Sequence, residues 1–188
     1  MSGRVLGAVL AGGASSRFGS DKALAMVDGR PLLAHACAAL ARVSDAVVVV
    51  GRGDVPDRPV PGLGPLGGIA GALAHARERG FGSVLTIGCD MIAVPAALLA
   101  DMLGHLPSYC ADAPVLGHWP VALAPALLDR LSPDATSSPP RAGGEGPGPT
   151  GAKNTALSVR RWAASIGAVA IPSPVPLANI NTPADLPA

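Results

Sequence analysis

Three apolar runs, at 5–11, 46–50 and 83–89, most constrain how this 188-residue chain can fold. Segments with leucine and alanine at helical spacing, at 32–43 and 69–79, separate these runs. The β-branched run at 46–50 is typical of a strand buried on both faces of a parallel sheet. The alternation of strands with helices therefore predicts an α/β chain with an open, mostly parallel sheet.

Shorter elements are predicted in the second half of the chain. We expect a helix near 95–104, hairpin-like strands within 109–124, a helix at 153–166 and a strand at 168–171. The segment 132–152, rich in Pro, Gly, Ser and Thr, is predicted to be a flexible loop, because it can bury little apolar surface. With 49% apolar and 14% charged residues, the chain is expected to form a single domain over 1–188.

Charge and cysteine content limit the compartment and the partners. A net charge of +1 argues against a nucleic-acid or membrane surface. We see no stretch suited to a signal peptide or a membrane span, and no apolar stripe that indicates an obligate dimer. Cys37, Cys89 and Cys110 lack metal-like spacing and leave one thiol unpaired in any disulfide scheme. We therefore expect a cytoplasmic monomer.

A segment rich in glycine and serine follows the first predicted strand. Gly12, Gly13 and Gly19 allow a loop whose N–H groups form an anion-binding concavity. Arg17 and Lys22 add positive charge, and apart from Lys22 the chain has only one lysine. The pattern predicts a phosphate-binding loop between a strand and a helix.

A second glycine-rich loop, 62–68, precedes the second predicted helix and is interpreted as functional, with a plain connector as the alternative. Asp90 directly follows the third predicted strand. Ligands bind beyond the carboxyl ends of parallel strands, so Asp90 would face the same crevice as the first loop. A carboxylate there suits Mg²⁺, and the alternative is that Asp90 caps the helix near 95–104 or closes a turn.

Further polar residues lie in the second half of the chain. Lys153 and Asn154 end the predicted flexible loop. A lone histidine more often has a structural or surface role, which is favoured for His118, and lining of a substrate pocket is the alternative. Asn179 and Asn181 alternate on an extended segment and would project to the same side.

Four motifs occur in a fixed order along almost the whole chain. They are Leu10-Ala11-Gly12-Gly13 continuing through Arg17 to Lys22, then Gly64-Pro65-Leu66-Gly67-Gly68, Cys89-Asp90-Met91, and Asn179-Ile180-Asn181-Thr182-Pro183. Together they resemble the MobA-type molybdenum cofactor guanylyltransferases. The first and last motifs favour the guanylyl branch over cytidylyl relatives. The resemblance implies a three-layer α/β/α Rossmann-like nucleotidyltransferase fold with a mostly parallel central sheet.

The resemblance also implies roles for individual residues. Arg17, Lys22 and Asp90 would be catalytic, with Asp90 as the ligand of a Mg²⁺ cofactor. Asp57, seven residues before Gly64, would accept hydrogen bonds from guanine. The implied nucleotide-binding set is Leu10, Ala11, Gly12, Gly13, Lys22, Asp57 and Asp90. The implied pterin side consists of Asn179, Asn181 and Lys153.

The implied reaction is attack of the terminal phosphate of molybdopterin on the α-phosphorus of GTP, with release of pyrophosphate. Implied protein partners are molybdenum-insertion proteins and molybdoenzyme chaperones. Two alternatives stay open: a related transferase using CTP or another phosphorylated acceptor, and a non-catalytic nucleotide-binding protein. The chain departs from the family pattern at Gly51-Arg52, where asparagine is frequent, and at Ile92, where proline is usual.

Overall fold

A computed structural model describes residues 3–12, 22–53, 55–132, 158–180 and 185. The strands are β1 (Val5–Leu10), β2 (Met26–Val27), β3 (Arg30–Pro31), β4 (Ala46–Val50), β5 (Ser83–Gly88), β6 (Met91–Ile92), β7 (Ser108–Cys110), β8 (Gly117–Pro120), β9 (Val169–Ile171) and β10 (Ala178–Asn179). The α-helices are α1 (Leu32–Ala41), α2 (Pro65–Glu78), α3 (Ala96–Leu103), α4 (Ala124–Leu131) and α5 (Val159–Ser165).

A six-stranded sheet in the order β4-β1-β5-β8-β7-β9 forms the centre of the molecule. Strands β4, β1 and β5 are parallel, which confirms the three strands predicted from the apolar runs. Leu10 pairs with Val50 on one side and with Gly88 on the other, so the three strands end together. Strand β8 runs against its neighbours, and β7 and β9 return to the common direction.

The hairpin predicted within 109–124 forms, but with shifted strands. Its strands are β7 and β8, with Tyr109 opposite Gly117, while residues 113–116 form the connection. Beyond β8 the apolar run enters a 3₁₀ helix, Val121–Leu123, and then α4, which the sequence analysis missed. Leu127 and Leu131 of α4 are buried at helical spacing, and a proline in its first turn was the available signal.

Helix α2 begins four residues earlier than predicted, at Pro65 instead of 69. Gly67 and Gly68 therefore lie in its first turns and not in a loop. Helices α1 and α3 match their predicted segments closely, and α5 lies within the predicted 153–166. The predicted loop at 132–152 falls, after Ser132, outside the described residues.

Helices cover both faces of the sheet, which confirms the three-layer α/β/α arrangement. On one face α2, α4 and α5 pack over a buried cluster that includes Leu73, Trp119 and Trp162. On the other face α1 and α3 enclose a second cluster around Leu40, Ile87 and Leu98. Strand residues alternate between the two clusters because successive side chains point to opposite faces. Within the described ranges, no helix is long and apolar enough to cross a membrane.

Candidate functional site

The carboxyl ends of β4, β1 and β5 form the edge at which the predicted site residues meet. The Ala11 N–H donates to the Val50 carbonyl at 2.9 Å, and the Cys89 N–H donates to the Leu10 carbonyl at 3.1 Å. These bonds tie the chain leaving each strand to its neighbour, so Gly12 and Asp90 emerge side by side. In open α/β sheets this edge is where ligands bind.

Lys22 and Asp90 form an ion pair across this edge. The Nζ atom of Lys22 lies 2.8 Å from Oδ2 of Asp90, with the two side chains 15% and 27% exposed. A β-carbon on Gly88 would lie 2.6 Å from Oδ1 of Asp90, so glycine leaves room for this carboxylate. Helix α3 begins after Pro95 without a side-chain cap. The capping role considered for Asp90 is therefore excluded.

Asp57 lies in a slot between glycine backbones. β-Carbons added at Gly12, Gly51 and Gly68 would lie 3.2, 3.1 and 3.6 Å from its carboxylate oxygens. Gly51 adopts a positive φ of 84°, and a β-carbon there would be 2.5 Å from the Gly12 Cα. Partial burial raises the pKa of the Asp57 carboxyl. The Asp57 carboxylate, a hydrogen-bond acceptor, is thus bordered by glycine backbone without side chains.

Helix α2 holds the Asp57 segment in place. The Arg58 N–H donates to the Gly67 carbonyl at 3.0 Å. A β-carbon on Gly71 would lie 2.2 Å from the Pro56 carbonyl oxygen, so the helix touches this segment backbone to backbone. The Arg58 side chain turns to Glu78 at the opposite end of α2, 3.2 Å away. The sequence analysis did not identify Gly51 and Gly71 as points of close backbone contact. For Gly51, its position directly after a predicted strand was an available signal.

Cys89 contributes a thiol and not a thiolate. Burial is the main cause that raises its pKa, and the Asp90 charge adds to it, while Lys22 and Arg52 oppose the shift. A protonated thiol is a poor nucleophile. Among the described residues of this edge, Cys89 therefore gives no support to covalent chemistry.

The backbone segment that contains Asn179 runs beside Asp90. Strand β10 pairs antiparallel with β6, placing Asn179 opposite Met91, and the Ile180 N–H donates to the Asp90 carbonyl at 3.1 Å. Residues 178–180 thus border the crevice next to Asp90. Four other predicted site residues lie outside the described ranges: Gly13, Arg17, Lys153 and Asn181.

His118 has a structural role. It is buried, its ring donates to the Met102 carbonyl at 3.1 Å, and its other nitrogen accepts from the Ser83 hydroxyl at 2.9 Å. Burial lowers its pKa, which favours the neutral ring that this pattern requires. The structural role that the sequence favoured for His118 is therefore the one observed, since the residue lies inside β8 against Met102 of α3.

The donor set suits a metal that arrives with substrate. Asp90 is a hard oxygen ligand at a strand end, and no group of three or more His, Cys, Asp or Glu side chains gathers in the described part of the chain. Mg²⁺ is typically bound through one or two carboxylates plus substrate phosphates and waters. The residues at this edge fit that chemistry.

The α/β/α fold, with a glycine-lined acid and a Lys–Asp pair at the strand ends, defines a nucleotidyltransferase. A model of the MobA-like NTP transferase domain matches residues 7–141. The molybdenum cofactor guanylyltransferase of Rhodobacter capsulatus is 32% identical, covering 97% of this chain and 93% of that protein. That of Acidiphilium cryptum is 34% identical, covering 95% and 90%. The chain belongs to the MobA-like family of NTP transferases, which confirms the resemblance found in its motifs.

Solved structures agree on the fold. Molybdopterin-guanine dinucleotide biosynthesis protein A from Archaeoglobus fulgidus superposes with a TM-score of 0.52 at 24% identity, covering 67% of this chain and 72% of that one. A nucleotidyl transferase from Methanothermobacter thermautotroptrophicus gives 0.61 at 19% identity, covering 97% and 94%. At these identities the likeness concerns the architecture alone.

Proposed function

We propose that this enzyme transfers GMP from GTP to the terminal phosphate of molybdenum-molybdopterin, giving the guanine dinucleotide form of the cofactor and pyrophosphate. The observation that carries the proposal is the meeting of Asp57, Lys22 and Asp90 at one sheet edge, in a chain whose full-length relatives are named for this activity. In the reaction a phosphate oxygen of the acceptor bonds to the α-phosphorus of GTP. The bond from that phosphorus to the bridging oxygen breaks, and pyrophosphate leaves.

Asp57 selects the base. Its ionised carboxylate accepts hydrogen bonds from the N1–H and N2–H₂ groups of guanine, and cytosine offers no matching pair of donors. The backbones of Gly12 and Gly51 lie against this carboxylate without side chains. Leu10, Ala11, Gly12 and Gly13 hold the nucleotide through backbone groups.

Lys22 and Asp90 exchange partners when the substrate binds. In the structure they neutralise each other at 2.8 Å. We assign the Lys22 ammonium to the triphosphate, where it stabilises charge that develops on the leaving pyrophosphate, with Arg17 as a second cation. Asp90 would hold Mg²⁺, which would neutralise phosphate charge and orient the phosphates. Electrostatic stabilisation of this kind requires no protein nucleophile.

The acceptor side lies next to Asp90. The pairing of β10 with β6 supports a place for Asn179 on this side, and we assign Asn181 and Lys153 to it as well. We further propose that a cytoplasmic monomer receives the pterin from molybdenum-insertion proteins and passes the product to molybdoenzyme chaperones. The three free thiols of the chain suit a reducing compartment.

The direct test is pyrophosphate release with each nucleoside triphosphate in the presence of Mg²⁺ and molybdenum-molybdopterin. We expect release with GTP and little with CTP. Asp90→Ala should lower the rate roughly 100-fold or more, because one electrostatic stabiliser is lost. Asp101→Ala, which removes an exposed carboxylate on α3, is the matched control and should keep the wild-type rate.

Two results would count against the proposal. A rate with CTP equal to that with GTP would contradict the assignment of Asp57 to guanine. An unchanged rate in Asp90→Ala, with a native circular dichroism spectrum, would contradict the metal role of Asp90.

A further inference from the structure

We infer that Ile180 is a positioning residue, which holds the Lys22 side chain at the site edge next to Asp90. This inference rests on the proposed function, because it concerns how the two charged residues of that site are held together. Ile180 lies between the two asparagines that are assigned to the acceptor side. It therefore connects the acceptor side with the ion pair of Lys22 and Asp90.

A third buried cluster joins segments that leave the site edge. It consists of three buried apolar residues and two partly buried ones: Val27, Leu32 and Ile180, with Ala25 and Ile92 packed against them. These residues belong to neither of the two large clusters on the faces of the sheet. Ala25 closely follows Lys22 in the chain, and Ile92 closely follows Asp90. The third cluster thus forms an apolar connection between the Lys22 segment and the Asp90 segment.

The Lys22 segment is bonded to the third cluster through its backbone. The Ala25 N–H donates to the Lys22 carbonyl at 3.1 Å, and the Leu32 N–H donates to the Ala25 carbonyl at 2.9 Å. The Val27 carbonyl accepts a hydrogen bond from Nε2 of His35, a residue of α1, at 2.8 Å. Lys22 therefore lies one turn before a segment whose position depends on the packing of the third cluster.

Ile180 contacts both halves of the ion pair's support. Its backbone N–H donates to the Asp90 carbonyl at 3.1 Å, next to the pairing of Ala178 with Ile92. Its side chain is buried in the cluster that also contains Ala25 and Val27 of the Lys22 segment. Truncation of the Ile180 side chain should therefore loosen the Lys22 segment, while the backbone bond to Asp90 remains.

Amine labelling tests this role without any substrate, because the chain has only two lysines, Lys22 and Lys153. Wild type, Ile180→Ala and Ile180→Val are treated with limiting acetic anhydride, and both lysines are quantified by peptide mass spectrometry. Asp90→Ala gives the rate for Lys22 without its partner. We expect Ile180→Ala to raise the Lys22 rate about threefold or more, within the range of coupled neighbouring residues. Lys153 should keep its rate, and Ile180→Val, which retains most of the packing, should resemble wild type.

Leu131→Ala is the matched control. Leu131 is 5% exposed and Ile180 is 3% exposed, but Leu131 lies in α4 and belongs to a large cluster on one face of the sheet. Leu131→Ala should also lower the Tm, yet leave Lys22 labelling at the wild-type rate. In pyrophosphate release with GTP, Ile180→Ala should lower kcat roughly tenfold or more, because misplacement of a catalytic group is costly. Leu131→Ala should keep the wild-type kcat.

Three results would overturn the inference. Wild-type labelling of Lys22 in Ile180→Ala would show that Ile180 does not hold this side chain. An equal acceleration in Leu131→Ala, or at Lys153 in the same sample, would reduce Ile180 to a structural residue. The proposed function is judged separately. Absence of pyrophosphate release from GTP by wild type would contradict guanylyl transfer, whereas the labelling of Lys22 would still decide the role of Ile180.

Discussion

At the scale of single residues, the ionised carboxylate of Asp57 lowers the stability of the folded protein, and we expect it to contribute to ligand binding. Burial raises the pKa of its carboxyl, so ionisation of Asp57 is less favourable in the folded protein than in the unfolded chain. The surrounding glycines bring backbone and not counter-charge to this carboxylate. In the proposed function, a bound guanine would supply the missing donors.

Asp57→Asn should therefore raise the Tm of the ligand-free protein at neutral pH while it abolishes the preference for GTP. The folded state holds the Asp57 proton more tightly than the unfolded state, so stability is lost as pH rises from about 3.8, the ordinary carboxyl value, through the raised pKa. Below this window the variant and wild type should have equal Tm values. Thermal unfolding from pH 3.5 to 8 measures the difference.

Ionisation of the Asp57 carboxyl should also control the affinity for GTP. GTP binding should strengthen as pH rises through the raised pKa of Asp57, and the variant should lose this dependence. A Tm that is lower for the variant at every pH would contradict the stated cost of ionising Asp57.

At the scale of elements, α2 connects the nucleotide slot with the sheet. Its first turns carry Gly67 and Gly68 against Asp57 and Leu10, and its middle lies on the Pro56 backbone at Gly71. Side chains at these points would push the helix from the 56–58 segment. The helix therefore contains glycines that its intrinsic propensity disfavours.

Gly71→Ala should destabilise the protein by about 1–3 kcal/mol, although glycine-to-alanine changes in helices usually stabilise. The new β-carbon, at 2.2 Å from the Pro56 carbonyl oxygen, must displace the Asp57 segment. GTP affinity should fall in the same variant. Urea unfolding and calorimetric titration measure the two effects.

Gly104→Ala is the control for Gly71→Ala. Gly104 has an ordinary φ of −72°, and the nearest atom to an added β-carbon is 3.3 Å away. The Gly104→Ala variant should differ little from wild type in stability and in GTP affinity. A more stable Gly71→Ala would show that α2 does not press on Pro56.

At the scale of the whole molecule, two buried clusters share one sheet. Trp119 and Trp162, the two tryptophans of the chain, lie together on one face with ring centroids 4.8 Å apart. The opposite face is covered by α1 and α3 without tryptophan. Tryptophan fluorescence therefore reports on the helical layer that contains Trp119 and Trp162. Circular dichroism reports on the helices of both layers.

If the chain is a single domain over 1–188, both signals should follow one unfolding transition with the same midpoint. Mg²⁺ and GTP should raise that midpoint equally for both probes, because ligand that binds only the folded state stabilises the whole cooperative unit. Equilibrium urea titrations followed by the two probes provide the measurement. Separate midpoints would contradict the single-domain prediction.

The sequence by itself predicted the architecture and the edge of the site. The apolar runs at 5–11 and 83–89 form strands buried on both faces, which requires helices in layers above and below. The run at 46–50, also expected to be buried on both faces, forms the edge strand β4 and is mostly half-buried. Asp90 follows such a run, so its position at the carboxyl edge could be predicted from local order alone. The motifs that contain it also identified the family.

Only the tertiary structure decided which side chains meet. The 2.8 Å contact between Lys22 and Asp90 joins residues 68 positions apart, and no local pattern encodes it. The approach of Gly51 to Gly12 depends on the pairing of β4 with β1. The partners of His118, Met102 and Ser83, are distant in sequence, so the sequence could favour a structural role but could not name these contacts. Periodicity reports which face of an element is buried, whereas contacts between elements depend on register and packing, which arise only when the whole chain folds.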